Sequence, residues 1–175
     1  MKLAMILAFS AALTAAAVNV DLSAGTGLSY PTGKWGNSLN TGIDAGLHAL
    51  WAPTRSLRAG LGLSVSVFGS SDMGTASLTH LKPRLMAGYY LRPWGNVFNP
   101  GFVCSFGICR SSLSNSGGSD PATWDPFWSA GFRWNFSVGG GFRGETGFDY
   151  SSIMAEMQSG DSFTLRFGIS REVTL

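Results

Sequence analysis

Apolar and polar residues alternate along most of the chain after residue 17. In the stretch 57–67 every odd position is apolar, whereas the even positions hold Arg58, glycine or serine. A period of two places the two sets on opposite faces of a β-strand. Eight stretches share this pattern, and we predict strands at 18–30, 41–51, 57–67, 80–91, 102–110, 127–138, 142–150 and 163–175. Pro83 lies within the fourth, where it removes one hydrogen-bond donor.

The connections between these strands differ in length. Residues 31–40, 68–79, 111–126 and 151–162 form long segments rich in Gly, Ser, Asn and Asp. Residues 52–56, 92–101 and 139–141 are shorter on the whole, although 92–101 fits poorly. Long loops at one end and short turns at the other are typical of membrane β-barrels. We therefore predict an all-β fold, an eight-stranded antiparallel up-and-down transmembrane barrel with both termini at the short-turn end.

Alternation alone does not say which face is turned inward. A soluble, lipocalin-like barrel buries its apolar face, whereas a membrane barrel turns that face toward lipid. Here the polar face carries nearly all the strand glycines, and an eight-stranded interior is so narrow that small residues are needed there. On a solvated face glycine would only weaken the strands. The pattern favours the membrane barrel, with the lipocalin-like binder as the alternative.

The polar face also carries charges of both signs. Charges buried together in a barrel interior must be paired. We predict an interior charge network of Asp21, Asp44, His48, Arg58, Lys82, Arg84, Arg133, Arg143, Glu145, Asp149, Arg166 and Glu172. In the simplest register of the last two strands Glu145 lies near Arg166. The alternative is a set of solvated surface charges.

Aromatic residues lie near the strand ends of the apolar face. Membrane barrels place such girdles at both interfaces, because the rings are amphipathic. The predicted girdle is Trp51, Tyr89, Trp134, Phe136 and Phe142 at the short-turn end, and Tyr30, Trp128, Tyr150 and Phe163 at the long-loop end.

The first 17 residues have the features of a cleavable signal peptide. Lys2 supplies the positive charge, residues 3–17 are apolar and small, and Ala15-Ala16-Ala17 is an acceptable cleavage motif. The apolar run falls short of the roughly 20 residues that span a bilayer as a helix. We predict a signal peptide at 1–17 and an outer-membrane barrel domain at 18–175.

Composition narrows the function further. Charged residues are only 13% of the chain and the net charge is +2, which gives no basic field for nucleic acid. The two Cys and two His have no metal-site spacing, and we predict neither metal nor cofactor. Cys104 and Cys109 would point to opposite faces of one strand, so they should not bridge.

Three further features of the sequence bear on catalysis or binding. His80 lies near Ser77 and Asp72 at the rim, but Ser77 and His80 should point to opposite faces, which argues against a catalytic triad. His48 is expected to be a hydrogen-bonded interior residue near Arg58. The glycine motif at 139–144 matches a nucleotide-binding pattern, but a strand follows it, so we interpret it as a turn.

The loops carry acidic residues that are more often simple solvating charge than a binding site. These are Asp72, Asp120, Asp125, Glu156 and Asp161, opposed by Lys34 and Arg110. Trp35 and the segment 153–157 are apolar, and we expect them to be exposed and to mark a possible contact site for an extracellular ligand.

Taken together, residues 18–175 resemble the small eight-stranded bacterial outer-membrane β-barrel proteins, the class of the OmpA membrane domain, OmpX and OmpW. The resemblance rests on the signal peptide, the amphipathic strands, the asymmetric loops and the terminal strand, which ends in Leu175 rather than the usual aromatic residue. It implies a Gram-negative outer membrane, lipopolysaccharide as neighbouring lipid and assembly by the barrel-assembly machinery. We expect a structural or surface-interaction role without catalysis. The alternatives are a narrow channel for small solutes and a lipid A acyltransferase or deacylase.

Overall fold

The computed structural model describes residues 18–33, 35–70, 76–91, 98–115, 117–155 and 160–174. The predicted signal peptide at 1–17 lies outside the described residues, as do Lys34, Asp72 and Glu156. The described elements are β1 (Asn19–Thr32), a 3₁₀ helix (Trp35–Asn37), β2 (Gly42–Trp51), β3 (Leu57–Gly69), β4 (Ser77–Tyr90), β5 (Phe98–Asn115), β6 (Gly118–Ser119), β7 (Thr123–Gly139), β8 (Phe142–Ile153) and β9 (Gly160–Thr174).

Eight of these strands close into one antiparallel barrel. Each strand pairs with its neighbour in the order β4-β3-β2-β1-β9-β8-β7-β5, and β4 pairs with β5 to close the circle. The first and last strands are paired from Asn19↔Thr174 to Thr32↔Asp161. The two-residue β6 pairs only with the end of β5 and is not part of the wall. The predicted eight-stranded antiparallel barrel is therefore confirmed.

The β5–β7 hairpin is longer than the sequence pattern predicts. β5 begins at Phe98 and ends at Asn115, and its pairing with β7 continues to Ser111↔Thr123. Most of the predicted loop 111–126 is thus strand. The alternation pattern did not predict this extension, because residues 110–115, Arg-Ser-Ser-Leu-Ser-Asn, do not alternate between apolar and polar. A strand that continues beyond the bilayer needs no apolar outer face. This hairpin forms one side of the barrel mouth.

Pro83 is accommodated inside β4. On the β3 side the pairing is continuous and includes Leu63↔Pro83. On the β5 side it stops at Leu81↔Arg110 and resumes at Arg84↔Gly107. Because proline has no N–H to donate, the gap in the ladder lies on the β5 side.

The turn between β7 and β8 is built from glycine. Gly139, Gly140 and Gly141 have φ values of 93°, 62° and 77°, which side-chain-bearing residues rarely adopt. β8 begins directly afterwards at Phe142. The glycine motif is a β-turn, as predicted.

The side chains alternate between a buried polar set and an exposed apolar set. Leu61, Phe106 and Phe132 are 63%, 57% and 47% exposed, whereas Asp44 and Arg58 are 0% and 1% exposed. The lipocalin-like alternative requires the opposite arrangement and is wrong. A belt of exposed apolar side chains around the outside of a barrel is the surface that lipid covers. Among the described residues, no helix is long and apolar enough to cross a membrane.

Glycines on neighbouring strands make room for the interior arginines. Arg84 pairs with Gly62 on one side and Gly107 on the other. Arg133 lies between Gly101 and Gly147 in the same way. The interior of an eight-stranded barrel is just wide enough for side chains. A guanidinium therefore has room to lie across the lumen where the paired residues on both neighbouring strands are glycines.

Candidate functional site

A chain of ion pairs crosses the centre of the barrel. Arg133 of β7 donates from Nη1 to Oδ1 of Asp149 at 2.7 Å and from Nη2 to Oδ2 at 2.6 Å. Its Nε lies 3.1 Å from Oε1 of Glu145. Paired, fork-shaped contacts of this kind are the strongest that an arginine makes with carboxylates.

Arg166 of β9 continues the chain toward β2. Its Nε donates to Oδ2 of Asp149 at 2.7 Å, and its Nη1 lies 2.8 Å from Oδ1 of Asp44. The hydroxyl of Ser66 donates to the other oxygen of Asp44 at 2.7 Å. Side chains from β2, β3, β7, β8 and β9 therefore meet in one layer, which we call the central ion-pair layer.

The expected proximity of Glu145 and Arg166 does not produce an ion pair. In the β8–β9 register Glu145 lies opposite Gly168, and Arg166 lies opposite Gly147. Glu145 pairs with Arg133 instead, while Arg166 reaches Asp149 and Asp44. Tyr150 and Phe163, the ends of the two predicted strands, pair directly, so Glu145 and Arg166 are offset diagonally by two residues and each pairs with a different charge.

His48 is hydrogen-bonded in this region, but not near Arg58 as expected. Its Nε2 lies 2.8 Å from Nη2 of Arg84 and its Nδ1 lies 3.2 Å from Oγ of Ser23. A guanidinium can only donate, so Nε2 accepts and the ring proton is on Nδ1. The imidazole is thus held in one neutral tautomer.

A second group of charges lies at the short-turn end. Arg58 is buried and donates from Nη1 to the backbone oxygens of Thr54 and Leu57, at 2.7 and 2.9 Å. Arg143 and Glu172 are paired more loosely, with 3.7 Å between Nη2 and Oε2. Asp21 is buried opposite Glu172 in the β1–β9 register. Lys82, the remaining member of the predicted network, is buried on β4 toward the long-loop end.

The predicted girdle residues lie on the outer surface at the two ends. At the long-loop end the rings of Trp128, Tyr150 and Phe163 form a contiguous row, with centroids 5.5 and 5.2 Å apart. Tyr30 follows as the cross-strand partner of Phe163. At the short-turn end the guanidinium of Arg171 lies 5.1 Å above the ring of Phe142. The others there are Trp51, Tyr89, Trp134 and Phe136, of which Trp134 is only partly exposed.

The barrel mouth at the long-loop end is occupied by Trp35. Its ring centroid lies 5.1 Å from that of His80, and it packs against Cys109, Phe127 and Ile153. The expectation that Trp35 and Ile153 are exposed is wrong, because the 3₁₀ helix after β1 turns the indole into the lumen. Met154 is exposed as expected.

A cavity of about 680 Å³ lies beside Trp35 in this mouth. Residues from β4, β5, β7 and β8 and the indole of Trp35 line it. They are Trp35, Leu78, His80, Ser111, Thr123, Trp124, Asp125, Pro126, Ile153, Met154 and Ala155. The sequence pattern predicts a loop at 111–126, so it does not indicate that Ser111, Thr123 and Asp125 lie together.

Ser77 and His80, the two described members of the candidate triad, lie on opposite faces of β4. His80 is 1% exposed, with its ring between Trp35 and Phe68. Cys104 is exposed on the outer surface and Cys109 is buried in the lumen, so the prediction that they remain free is confirmed. No group of His, Cys, Asp and Glu within the described ranges could hold a metal ion.

No protein-family model matches the sequence, and no curated protein is significantly similar to it. Solved structures do match its fold. Neisserial surface protein A superposes with a TM-score of 0.66 and 13% identity, covering 88% of this chain and 96% of that one. The N-terminal barrel domain of Pseudomonas aeruginosa OprF gives 0.63 and 11%, with coverages of 89% and 97%. Ail of Yersinia pestis, in complex with the heparin analogue sucrose octasulfate, gives 0.58 and 10%, with coverages of 90% and 100%.

This chain is an eight-stranded transmembrane β-barrel of the outer-membrane type. The exposed apolar belt and the match along nearly the whole length of these solved barrels agree on this point. In such a barrel the long loops face outward from the cell and the short turns face the periplasm. The central ion-pair layer lies at the level of the exposed apolar belt, and the cavity beside Trp35 opens at the long-loop end.

Proposed function

We propose that this outer-membrane barrel is a non-conducting surface protein that holds its long loops for interactions outside the cell. The central ion-pair layer is the observation that carries the proposal. Arg133, Asp149, Arg166 and Asp44 are each at most 6% exposed and join four strands through short contacts. Water or a solute could pass this level only by separating these pairs.

Separating the pairs is energetically unfavourable. Breaking a buried ion pair leaves an uncompensated charge, which costs about 3–5 kcal/mol. Tyr90 and Phe127, at most 1% exposed, fill the lumen on either side of the layer. A filled cylinder of this kind is a rigid support for loops, whereas a porin leaves a wide aqueous channel.

The outward-facing end offers the surface for such a role. The β5–β7 hairpin extends to Ser111↔Thr123, and β6 continues it to Asn115↔Gly118. Two of the structurally similar proteins are described as a surface protein and as an attachment invasion locus protein, the latter with a bound heparin analogue. These descriptions support a loop-mediated surface interaction for this chain.

The proposal also includes two partners of the barrel, the lipid of the outer leaflet and the barrel-assembly machinery. The row Trp128, Tyr150 and Phe163 would contact lipopolysaccharide in the outer leaflet, because aromatic girdles lie at membrane interfaces. The alternating terminal strand β9 would be the segment that the barrel-assembly machinery engages. Both partners are testable by depletion of the machinery and by crosslinking to lipid.

Epitope accessibility tests the display of the loops. A short epitope inserted between Gly117 and Gly118 lies at the tip of the outward hairpin, and one between Gly140 and Gly141 lies in the short turn and serves as the matched control. In intact cells an antibody should bind the first insertion only. The second should become accessible after the outer membrane is permeabilised. Binding to the 140–141 insertion in intact cells would reverse the orientation and contradict the proposal.

Conductance in planar bilayers tests the filled interior. The wild-type protein should show no steady conductance, because the central layer occupies the lumen. Steady single-channel conductance would contradict this and favour a narrow channel for small solutes. A shift in lipid A mass that depends on the protein and is lost in His80→Ala would instead favour a lipid-modifying enzyme.

A further inference from the structure

The cavity in the barrel mouth has the size and composition of a small-molecule site. Its volume of about 680 Å³ is within the range of pockets that hold small ligands. Leu78, Pro126, Ile153 and Met154 contribute apolar surface, and Ser111 and Thr123 contribute hydroxyl groups. Such a mixture of an apolar lining and a few polar groups favours an amphipathic ligand.

The indole of Trp35 forms a fixed wall of this cavity. It packs against Phe127 and Ile153, which are 0% and 3% exposed. A Cβ built on Gly160 of β9 would overlap the six-membered ring of Trp35. The chain therefore leaves space at Gly160 for this indole, and the wall is present before any ligand binds.

His80 supplies an unsatisfied polar group at the cavity. The residue is 1% exposed, and neither Nδ1 nor Nε2 has a hydrogen-bond partner among the described residues. The ring is held by contacts to Trp35 and Phe68, with centroids 5.1 and 5.4 Å away. Buried polar atoms are normally hydrogen-bonded, so a polar group on a ligand is a suitable partner for this imidazole.

Asp125 determines the charge of that ligand. It is the one charged side chain among the described residues that line the cavity. Its Oδ2 accepts a hydrogen bond from Oγ1 of Thr123 at 3.0 Å, which fixes the carboxylate. A carboxylate attracts organic cations, and the indole in the same lining is a second group that binds cations through its ring face.

We propose that this cavity binds an amphipathic organic amine. The apolar body of the ligand packs against Trp35, Leu78 and Ile153, while its ammonium group donates to Asp125 and to one ring nitrogen of His80. The proposed site gives the outward-facing end of the barrel a class of ligand. The proposal does not depend on whether the barrel conducts solutes.

Tryptamine and tryptophol test the proposal as a matched pair. They share the indole ring and differ in that tryptophol has a hydroxyl group in place of the ammonium group. Calorimetric titration of the folded full chain in zwitterionic micelles should show saturable, one-to-one binding of tryptamine. Tryptophol should bind at least about tenfold more weakly, because a charge-assisted hydrogen bond is worth roughly 1.5–3 kcal/mol. Absence of saturable tryptamine binding, or equal affinity for the two probes, would overturn the proposal.

Two substitutions assign the binding to named atoms. Asp125→Asn should weaken tryptamine binding by about tenfold or more and leave tryptophol binding unchanged, because only the charge is removed. Asp120→Asn, at an exposed position of the same connection that does not line the cavity, is the control and should bind like the wild type. His80→Phe keeps an aromatic ring between Trp35 and Phe68 but removes the ring nitrogens, and should weaken tryptamine binding. Heat-modifiable gel mobility verifies that each variant is folded. Unchanged tryptamine affinity in folded Asp125→Asn would overturn the assignment.

Discussion

Arg133 and Asp149 are joined by two hydrogen bonds across the barrel interior, at 2.7 and 2.6 Å. They are not direct cross-strand partners, since Arg133 lies opposite Gly147 and Asp149 opposite Gly131. The guanidinium reaches diagonally over Gly147, whose missing side chain leaves the space. Arg166 binds the same carboxylate from the other side at 2.7 Å, so Asp149 compensates two arginines at once.

We expect Asp149→Asn to lower the free energy of unfolding by about 3–5 kcal/mol, because it leaves Arg133 and Arg166 buried without their shared carboxylate. Urea unfolding in micelles or bilayers measures the difference. Asp120→Asn removes a carboxylate at an exposed position and should change stability by less than about 0.5 kcal/mol. Equal stability of the two variants would show that the central ion-pair layer does not stabilise the barrel.

Arginine substitutions on the outer face should be destabilising in a depth-dependent manner. Leu61 lies in the middle of β3 and is 63% exposed, and Leu57 lies at its short-turn end. In lipid vesicles Leu61→Arg should lower the free energy of unfolding by about 2–4 kcal/mol, and Leu57→Arg by about 0–1 kcal/mol. Similar losses at the two positions would contradict the membrane depth assigned to β3.

Gly160 and Trp35 should be energetically coupled. A methyl group at Gly160 overlaps the indole, so Gly160→Ala should cost about 1–3 kcal/mol of unfolding free energy. In a Trp35→Ala background the same change should cost little, because the overlapping ring is gone. Gly69→Ala is the control, because the nearest atom to a Cβ at that position is the side-chain Nδ2 of Asn40, at 3.8 Å. Additive effects of Gly160→Ala and Trp35→Ala would rule out the packing of the indole over Gly160.

The β7–β8 turn should prefer asparagine to alanine. Gly140 has a φ of 62°, and a Cβ there would contact only Phe142, at an ordinary distance. Gly140→Ala should therefore cost about 1–2 kcal/mol through backbone strain alone. Gly140→Asn should cost less, because asparagine tolerates this conformation. Thermal or urea unfolding of the two variants measures the order, which would be reversed if the turn had another backbone geometry.

The sequence predicts the wall of the barrel better than the contacts within it. Alternation is a local property, so the face of Leu61 and that of Arg58 follow directly from the period of two. The strand glycines on the polar face also indicated a narrow, filled interior, and Gly62 and Gly107 indeed flank Arg84. The wall residues that the pattern missed include 111–115, 98–101 and 123–126; at 111–115 the strand has no alternating apolar face that would indicate it.

Contacts between strands could not be predicted in the same way. Alternation fixes the face of each side chain but not which charge on a neighbouring strand it contacts, so nothing in the pattern distinguished Glu145–Arg166 from Glu145–Arg133. The insertion of Trp35 into the mouth depends on Gly160, which is far away in sequence. Its indole, together with the extension of β5 and β7, creates the cavity around His80 and Asp125. Such long-range features are visible only once the barrel is closed.

The central claim is that the apolar face of the barrel contacts lipid and the charged face fills the lumen. A carbene-generating photolabel confined to the acyl chains of a bilayer tests this directly, with the modified residues read by mass spectrometry. Labels should be found on Leu61, Phe106 and Phe132 and be absent from Ser66 and Arg133. Labelling of Ser66 and Arg133 with Leu61, Phe106 and Phe132 protected would contradict the account.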